Sequence, residues 1–264
     1  MSAIRRNNVQ LRGEGVNAML FAHGFGCDQN MWRHVAPAFE GDFQTVLFDF
    51  VGAGASDLNA YDPDRYSQLS GYADDVVEIA DELGLTGVVF VGHSVSAMIG
   101  VLAAIQRPDL FSRLVLVGPS PRYIDADGYV GGFSADQIEE LLTFLDDNPM
   151  AWFKAMAPAI MGNPDRPALG EELTASFCQM DPKIAKQFAR VTFTSDNRAD
   201  LIRLTVPTLI LQCSDDIIAP LSVGNYLKQE IADSQLVVLK ATGHCPNLSA
   251  PDEVVAAVRE FVRE

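Results

Sequence analysis

Short apolar runs and amphipathic segments alternate along most of the chain. In the first half, the apolar runs of strand length are residues 17–23, 44–50, 87–92 and 113–118. The segments between them with apolar residues at helical spacing are residues 30–39, 71–84 and 96–108. The alternation resumes near the C-terminus, with predicted strands at 208–213 and 235–241 and predicted helices at 220–231 and 252–264. Continuous apolar strands that alternate with helices indicate an α/β fold, in which helices cover both faces of a mostly parallel sheet.

The alternation is interrupted between Gly118 and Val206. Loops longer than roughly 15 residues without secondary structure are uncommon in compact domains. The interval contains segments with helical spacing, separated by Pro, Gly and Asp, at residues 134–147, 150–162, 169–180 and 182–193. We therefore expect an α/β core of residues 1–118 and 206–264, with residues 119–205 inserted as a helical cap over the carboxyl ends of the strands, where open sheets bind ligands. An unrelated helical domain is the alternative interpretation.

Composition and charge narrow the classes of partner. The 264 residues are 48% hydrophobic and 20% charged, which is typical of a globular protein, and the formal net charge is −16. A surface this acidic repels nucleic acid and anionic lipid, so we expect neither as a partner. No apolar run is long enough to span a membrane, and the N-terminal residues lack the apolar core of a signal peptide. We expect a soluble, cytoplasmic monomer.

The cysteines give no sign of a metal site. Cys27, Cys178, Cys213 and Cys245 form no Cys-x-x-Cys pair. This spacing argues against a zinc ribbon and against a disulfide framework, and reduced thiols are usual in the cytosol. We expect neither a metal nor an organic cofactor.

The segment VGHSVSAMIG, residues 91–100, nearly matches the Gly-x-Ser-x-Gly turn that carries the nucleophile of many hydrolases. It joins a predicted buried strand to a predicted helix, where a strained turn presents a serine hydroxyl. Gly92 and Ser94 fit the pattern, whereas Ser96 stands where a second glycine is expected. Serine is small enough for that position. From the residues alone, Ser94 could also be a simple helix cap.

A serine nucleophile needs a base and an orienting acid. His244 lies in the loop between the last predicted strand and the last predicted helix, where the chain order serine, acid, histidine places the base. Asp215 and Asp216 both follow the first strand after the cap, and this position alone does not decide between them. His93, beside Ser94, is expected to serve packing.

Acyl transfer also needs hydrogen-bond donors for the developing oxyanion. The HGFG segment, residues 23–26, follows the first predicted strand, and its glycines allow the backbone to approach a substrate closely. We expect the backbone N–H of Phe25 to be one donor. The amide of Val95, which directly follows the nucleophile, would be the second.

With these motifs in order, the chain resembles the α/β-hydrolase superfamily. Within it, the chain is most similar to the RsbQ-type bacterial stress-response regulators and to the plant karrikin and strigolactone receptors. The matching stretches cover nearly the whole chain and include HGFGCDQ, GHSVS, TFTSD and the segment PSPRY…YVGGF. The resemblance implies that Ser94 is the nucleophile, because a serine at the position of Ser96 is usual in this subgroup.

The resemblance also implies a choice of acid and the nature of the cap. The family's Gln-x-x-x-Asp pattern runs here from Gln212 to Asp216, so Asp216 is the implied acid, although Asp215 stands where relatives often have lysine. The cap is expected to be four helices arranged as a V over a hydrophobic pocket. The candidate lining residues are Phe25, Val95, Phe133, Trp152, Phe153, Met156, Phe193 and Ile217.

Besides a non-signalling detoxifying esterase, which keeps the same candidate catalytic residues, two functions are compatible with the sequence. The first is a serine hydrolase of carboxylesterase or lactonase type that cleaves a small hydrophobic ester or lactone and that serves in ligand sensing. The alternative is a receptor whose main output is the binding of a regulatory protein, such as a phosphatase, with slow hydrolysis. Both keep Ser94, Asp216 and His244, so these residues do not separate them.

Overall fold

The computed structural model describes residues 1–263 and contains a seven-stranded sheet flanked by helices. The strands are β1 (Gln10–Arg12), β2 (Asn17–Ala22), β3 (Phe43–Leu47), β4 (Val88–His93), β5 (Phe111–Val117), β6 (Thr208–Asp215) and β7 (Ser234–Thr242). Their order across the sheet is β1-β3-β2-β4-β5-β6-β7. Only β1 pairs antiparallel, with β3, and every other pairing is parallel. The predicted α/β fold with a mostly parallel sheet is confirmed.

Eleven helices are present among the described residues. They are α1 (Ala3–Arg6), α2 (Leu69–Glu82), α3 (Val95–Gln106), α4 (Ala135–Asp147), α5 (Pro149–Met161), α6 (Pro167–Phe177), α7 (Pro182–Thr194), α8 (Arg198–Leu201), α9 (Leu221–Glu230), α10 (Pro246–Ser249) and α11 (Pro251–Arg263). The centre of the fold is β4 and α3, because every residue of β4 is buried and α3 is apolar on nearly all sides. A helix with this pattern is typical of a protein core.

Along the sequence, helices α4 to α7 come between β5 and β6. Helix α5 packs against both α4 and α6. This group is hydrogen-bonded to the loops at the carboxyl ends of the strands. Ser176 of α6 donates its hydroxyl to the carbonyl of Gly26 at 2.7 Å. The carbonyl of Ile160 in α5 accepts the backbone N–H of His244 at 2.9 Å. The four helices therefore hold two of the loops in which catalytic residues are predicted.

The predicted helix at residues 30–39 is wrong. The structure has two short 3₁₀ turns there, Gln29–Trp32 and Ala36–Phe39. Pro37 lies in the first turn of the second, and its missing N–H would leave a gap in the middle of a continuous helix. The sequence pattern also did not predict β1, whose three residues are all exposed. An edge strand without a buried face has no alternating pattern to recognise.

Candidate active site

Ser94 occupies a sharp turn between β4 and α3. Its backbone angles, φ 57° and ψ −122°, lie in a region that non-glycine residues rarely adopt. Such strain is typical of a turn that presents a catalytic side chain. A side chain at Gly92 would come within 2.6 Å of the carbonyl of Ser96, so this position requires glycine for the close approach of strand and helix. Position 96, by contrast, lies within α3 and accommodates a serine side chain.

Three predicted side chains form one chain of hydrogen bonds. The hydroxyl of Ser94 lies 2.7 Å from Nε2 of His244, and Nδ1 of His244 lies 2.7 Å from a carboxyl oxygen of Asp216. All three residues are buried. Since the carboxylate accepts from Nδ1, the neutral imidazole has Nε2 free to accept the Ser94 proton. This arrangement can activate a serine hydroxyl.

The environment of Asp216 keeps its carboxylate ionised. Its other oxygen accepts the backbone N–H groups of Ile218 and Ala219 at 2.8 and 3.1 Å. Burial by itself would raise the pKa of Asp216, but the neighbouring His244 and these hydrogen bonds outweigh it, and the pKa lies below its ordinary value of 3.8. Asp215, by contrast, is an exposed residue at the end of β6, where its backbone carbonyl accepts the N–H of Gly243.

Two further polar residues connect the loops around Ser94. The ring of His93 donates from Nε2 to the carbonyl of His244 at 2.7 Å. Burial and the nearby His244 lower the pKa of His93 to about 3, so its ring is neutral at pH 7. The hydroxyl of Ser96 donates to the carbonyl of His23. Ser96 therefore connects the first turn of α3 to the HGFG segment, and His93 supports the loop of His244.

The two amides expected to bind an oxyanion are both free. Phe25 and Val95 are buried, with 8% and 2% of their surface exposed. Among residues 1–263, no acceptor pairs with the backbone N–H of Phe25, and none outside α3 pairs with that of Val95, which is the first residue of the helix. Phe25 lines the cavity and Val95 directly follows Ser94, so both N–H groups are available to an acceptor supplied by a ligand.

A small cavity lies above Ser94. Its volume is about 30 Å³. The lining side chains are mostly apolar and come from the core and from α5 to α7: Phe25, Cys27, His93, Ser94, Tyr123, Ile160, Leu173, Phe177, Thr192, Phe193, Ile218, His244 and Cys245. The ring of Phe25 contacts those of Trp152, Phe177, Phe188 and Phe193, with centroids 5.6–6.4 Å apart. Aromatic side chains from α5, α6 and α7 therefore pack around Phe25.

Only some of the predicted lining residues reach this cavity. Phe25 and Phe193 line it, and Val95 is buried at the elbow beside it. The other five predicted residues do not line it. Trp152 and Phe153 are buried and contact the ring of Phe177. Phe133 and Met156 are partly buried elsewhere, and Ile217 is 53% exposed. The register of the cap helices decides which aromatic residues face Ser94, and the apolar pattern alone does not give that register.

The structure adds lining residues that the sequence pattern did not single out. Tyr123 and Phe177 are among them, together with the hydroxyl of Thr192. Tyr123 lies within the PSPRY stretch, so its motif was visible although its position was not. Within residues 1–263 there is no cluster of three or more His, Cys, Asp or Glu side chains suited to a metal ion. No helix among these residues combines the length and apolar character needed to cross a membrane.

Comparison with known proteins agrees with this geometry. The profile of the alpha/beta hydrolase family matches residues 19–257. The chain is 40% identical to strigolactone esterase D14 of Arabidopsis thaliana, over 96% of this chain and 94% of that protein. It is 39% identical to karrikin insensitive 2 receptor IA of Petunia hybrida, over 96% and 93%. A solved hydrolase from Oleispira antarctica superposes with a TM-score of 0.97 and 41% identity, over 99% and 96%.

The extent of these matches decides the family. The profile spans most of the chain, and both curated relatives exceed one third identity over almost their full length. The similarity to the plant karrikin and strigolactone receptors that the sequence motifs predicted is confirmed. The chain belongs to the alpha/beta hydrolase family.

Proposed function

We propose that this chain is a serine hydrolase that cleaves a small hydrophobic ester or lactone. The observation that carries the proposal is the hydrogen-bonded chain from Asp216 through His244 to Ser94, which ends at an apolar cavity. The free amides of Phe25 and Val95 support it, as do relatives named as an esterase and as a karrikin receptor. The apolar lining of the cavity favours a hydrophobic substrate, and side chains of α5 to α7 would have to move to admit one, because the cavity volume is only about 30 Å³.

In the proposed reaction, Ser94 attacks the carbonyl carbon while Nε2 of His244 takes its proton. The amides of Phe25 and Val95 stabilise the negative charge that develops on the carbonyl oxygen. His244 then gives the proton to the leaving oxygen, and a water molecule activated by His244 releases the acyl group from Ser94. Asp216 holds the imidazole in the required tautomer and stabilises its protonated form.

Replacement of Ser94 tests this function directly. Ser94→Ala should lower the hydrolysis of p-nitrophenyl butyrate by at least about a thousand-fold, because the nucleophile is lost. Ser96→Ala, the same change two residues away, should stay within about tenfold of the wild-type rate, because it removes one structural hydrogen bond. A mass increase of one acyl group on the wild type, absent from Ser94→Ala, would identify the intermediate. Wild-type rates in Ser94→Ala would contradict the proposal.

A second candidate function is ligand-dependent binding of a regulatory protein. The relative named as a receptor, 39% identical over nearly its whole length, supports it. In that case turnover would be slow, and binding of the partner would depend on ligand. A comparison of multiple-turnover and single-turnover rates separates the two functions, since an enzyme of the first kind completes many cycles.

A further inference from the structure

The cavity above Ser94 contains a tyrosine hydroxyl without a partner. Tyr123 is 1% exposed and lines the cavity together with Ser94 and His244. Its hydroxyl lies near that of Ser94, but no donor or acceptor in the described part of the chain meets it at hydrogen-bond distance and angle. A buried hydroxyl in this state is unfavourable, and it calls for a partner that the folded chain alone does not supply. The cavity beside Ser94 is where such a partner would bind.

Tyr123 is also in the right state to donate. Burial raises its pKa well above the ordinary value, and the nearby hydroxyl of Ser94 opposes the rise only in part. The phenol therefore keeps its proton at neutral pH. Its ring is held in place from the side, since it packs edge-on against Phe193 with centroids 5.2 Å apart. Its backbone carbonyl accepts the N–H of Phe133 at 3.2 Å, which fixes the loop.

The order of the strands shows from which side Tyr123 approaches Ser94. Strand β4, which ends at the elbow, lies between β2 and β5 in the sheet. The HGFG segment with the free amide of Phe25 follows β2, whereas Tyr123 follows β5. His244 follows β7, on the same side as Tyr123. A carbonyl oxygen bound by the amide of Phe25 would point towards β2, and the leaving oxygen would then face His244 and Tyr123.

We propose that the hydroxyl of Tyr123 donates a hydrogen bond to the leaving oxygen of the substrate during acylation. This inference rests on the proposed function. In that step the bond from Ser94 Oγ to the carbonyl carbon forms, and the bond from this carbon to the leaving oxygen breaks. The proton that His244 took from Ser94 passes to the leaving oxygen. Tyr123 keeps its own proton and stabilises the negative charge on that oxygen until the transfer is complete.

The role of Tyr123 predicts a dependence on the leaving group. An alkoxide is strongly basic and needs stabilisation as it departs, whereas p-nitrophenolate spreads its charge over the ring and departs without such help. Two butyrate esters isolate the effect, namely ethyl butyrate and p-nitrophenyl butyrate, because both form the same acyl-enzyme and share the later hydrolysis step. The value of kcat/KM reports on steps up to acylation.

The test measures kcat/KM for both esters with the wild type, Tyr123→Phe and Tyr129→Phe. Tyr129 is a matched control, because its hydroxyl already donates to the carbonyl of Arg122 at 2.6 Å and does not line the cavity. Tyr123→Phe should lower kcat/KM for the ethyl ester by about 10- to 100-fold, the usual effect of a hydrogen bond to a charged group. It should change the p-nitrophenyl value by less than about threefold. Tyr129→Phe should leave the ratio of the two values unchanged.

Stability separates this role from a structural one. Because the Tyr123 hydroxyl has no partner in the folded chain, Tyr123→Phe should keep or raise the melting temperature. Equal losses on both esters, or no loss on either, would overturn the inference for Tyr123 and leave the serine hydrolase intact. Failure of the wild type to hydrolyse either ester, or full activity in Ser94→Ala, would instead overturn the proposed function and this inference with it.

Discussion

Asp216 and Asp75 are both buried carboxylates, but their hydrogen-bond networks end in different places. Asp75, on α2, accepts from the guanidinium groups of Arg6 and Arg65 at 2.9 and 2.7 Å, and from the hydroxyl of Tyr66 at 2.9 Å. These partners come from separate parts of the chain, the last residue of α1 and the segment just before α2. The network of Asp75 joins protein segments to one another and does not line the cavity beside Ser94.

The network of Asp216 has an open end. One carboxyl oxygen is held by the N–H groups of Ile218 and Ala219, and the other by His244, whose second ring nitrogen meets Ser94 beside the cavity. Burial and hydrogen bonding alone therefore do not identify a catalytic carboxylate. Asp216 differs because its chain of hydrogen bonds ends at a serine hydroxyl that lines a cavity. The same substitution at both positions should therefore damage different properties.

The largest effect is expected from Asp216→Asn. An amide at this position cannot stabilise a protonated imidazole and can favour the wrong tautomer of His244, so kcat for p-nitrophenyl butyrate should fall by about ten-thousand-fold. The free energy of unfolding should change by no more than about 2 kcal/mol, because the amide oxygen can still accept from Ile218 and Ala219. Steady-state kinetics and urea unfolding on the same preparation measure both quantities.

The neighbouring aspartate provides the control for this prediction. Asp215 is exposed at the end of β6, and no side-chain hydrogen bond to His244 is formed by it in the described structure. Asp215→Asn should therefore leave kcat within about threefold and stability within about 0.5 kcal/mol, as is usual for surface substitutions. A large loss in Asp215→Asn with a small loss in Asp216→Asn would move the orienting acid by one residue.

Asp75→Asn should have the opposite profile. Asparagine keeps one acceptor oxygen for Arg6 and Arg65 but presents an NH2 group to Tyr66 and Asn7, which donate to the second carboxyl oxygen in the wild type. Buried donors left without an acceptor should lower the free energy of unfolding by about 2 kcal/mol. The kcat per folded molecule should remain at the wild-type value, because the network does not reach Ser94. Urea unfolding and active-site titration give the two numbers, and a fall in kcat at full occupancy would contradict the comparison.

The sequence was sufficient to predict that the three candidate catalytic side chains lie together, because the topology of the sheet places them. Parallel strands bring their carboxyl ends to one edge of the sheet, so Ser94, Asp216 and His244 had to lie near one another once the strands were recognised. Their order along the chain then limited the candidates. The choice of Asp216 over Asp215 came from resemblance, since adjacent residues after a strand carry no pattern that says which one turns inward.

The pocket could not be predicted in the same way. Ile217 was expected to line it but is exposed, whereas Ile218, one residue later, lines the cavity. Trp152 is fully buried and stacks on Phe177 instead of lining the cavity. Its burial could be predicted from the apolar pattern, but the residue that it contacts could not. Which aromatic faces Ser94 depends on how four helices pack against one another, and an apolar stripe predicts only that a face is covered.

The smallest expected effect is an opposite dependence of stability on pH at the two aspartates. Burial raises the pKa of Asp75 above the ordinary 3.8, against the opposing effect of Arg6 and Arg65, whereas His244 and backbone donors overcome burial and lower the pKa of Asp216. The raised pKa of Asp75 contributes stability below pH 3.8 that is lost as pH rises through its folded value. The lowered pKa of Asp216 contributes stability above pH 3.8 that is lost as pH falls through its folded value.

Matched Asp→Asn variants measure these contributions, because asparagine does not titrate. Urea unfolding of the wild type and each variant between about pH 3 and pH 6 gives the difference in unfolding free energy at each pH. The difference between the wild type and Asp216→Asn should grow as pH rises towards 3.8 and then level off. The difference for Asp75→Asn should shrink as pH rises above 3.8. If these differences changed with pH in the same direction at both positions, the two buried networks would respond alike to protons. The difference between Asp75 and Asp216 would then rest only on the cavity beside Ser94.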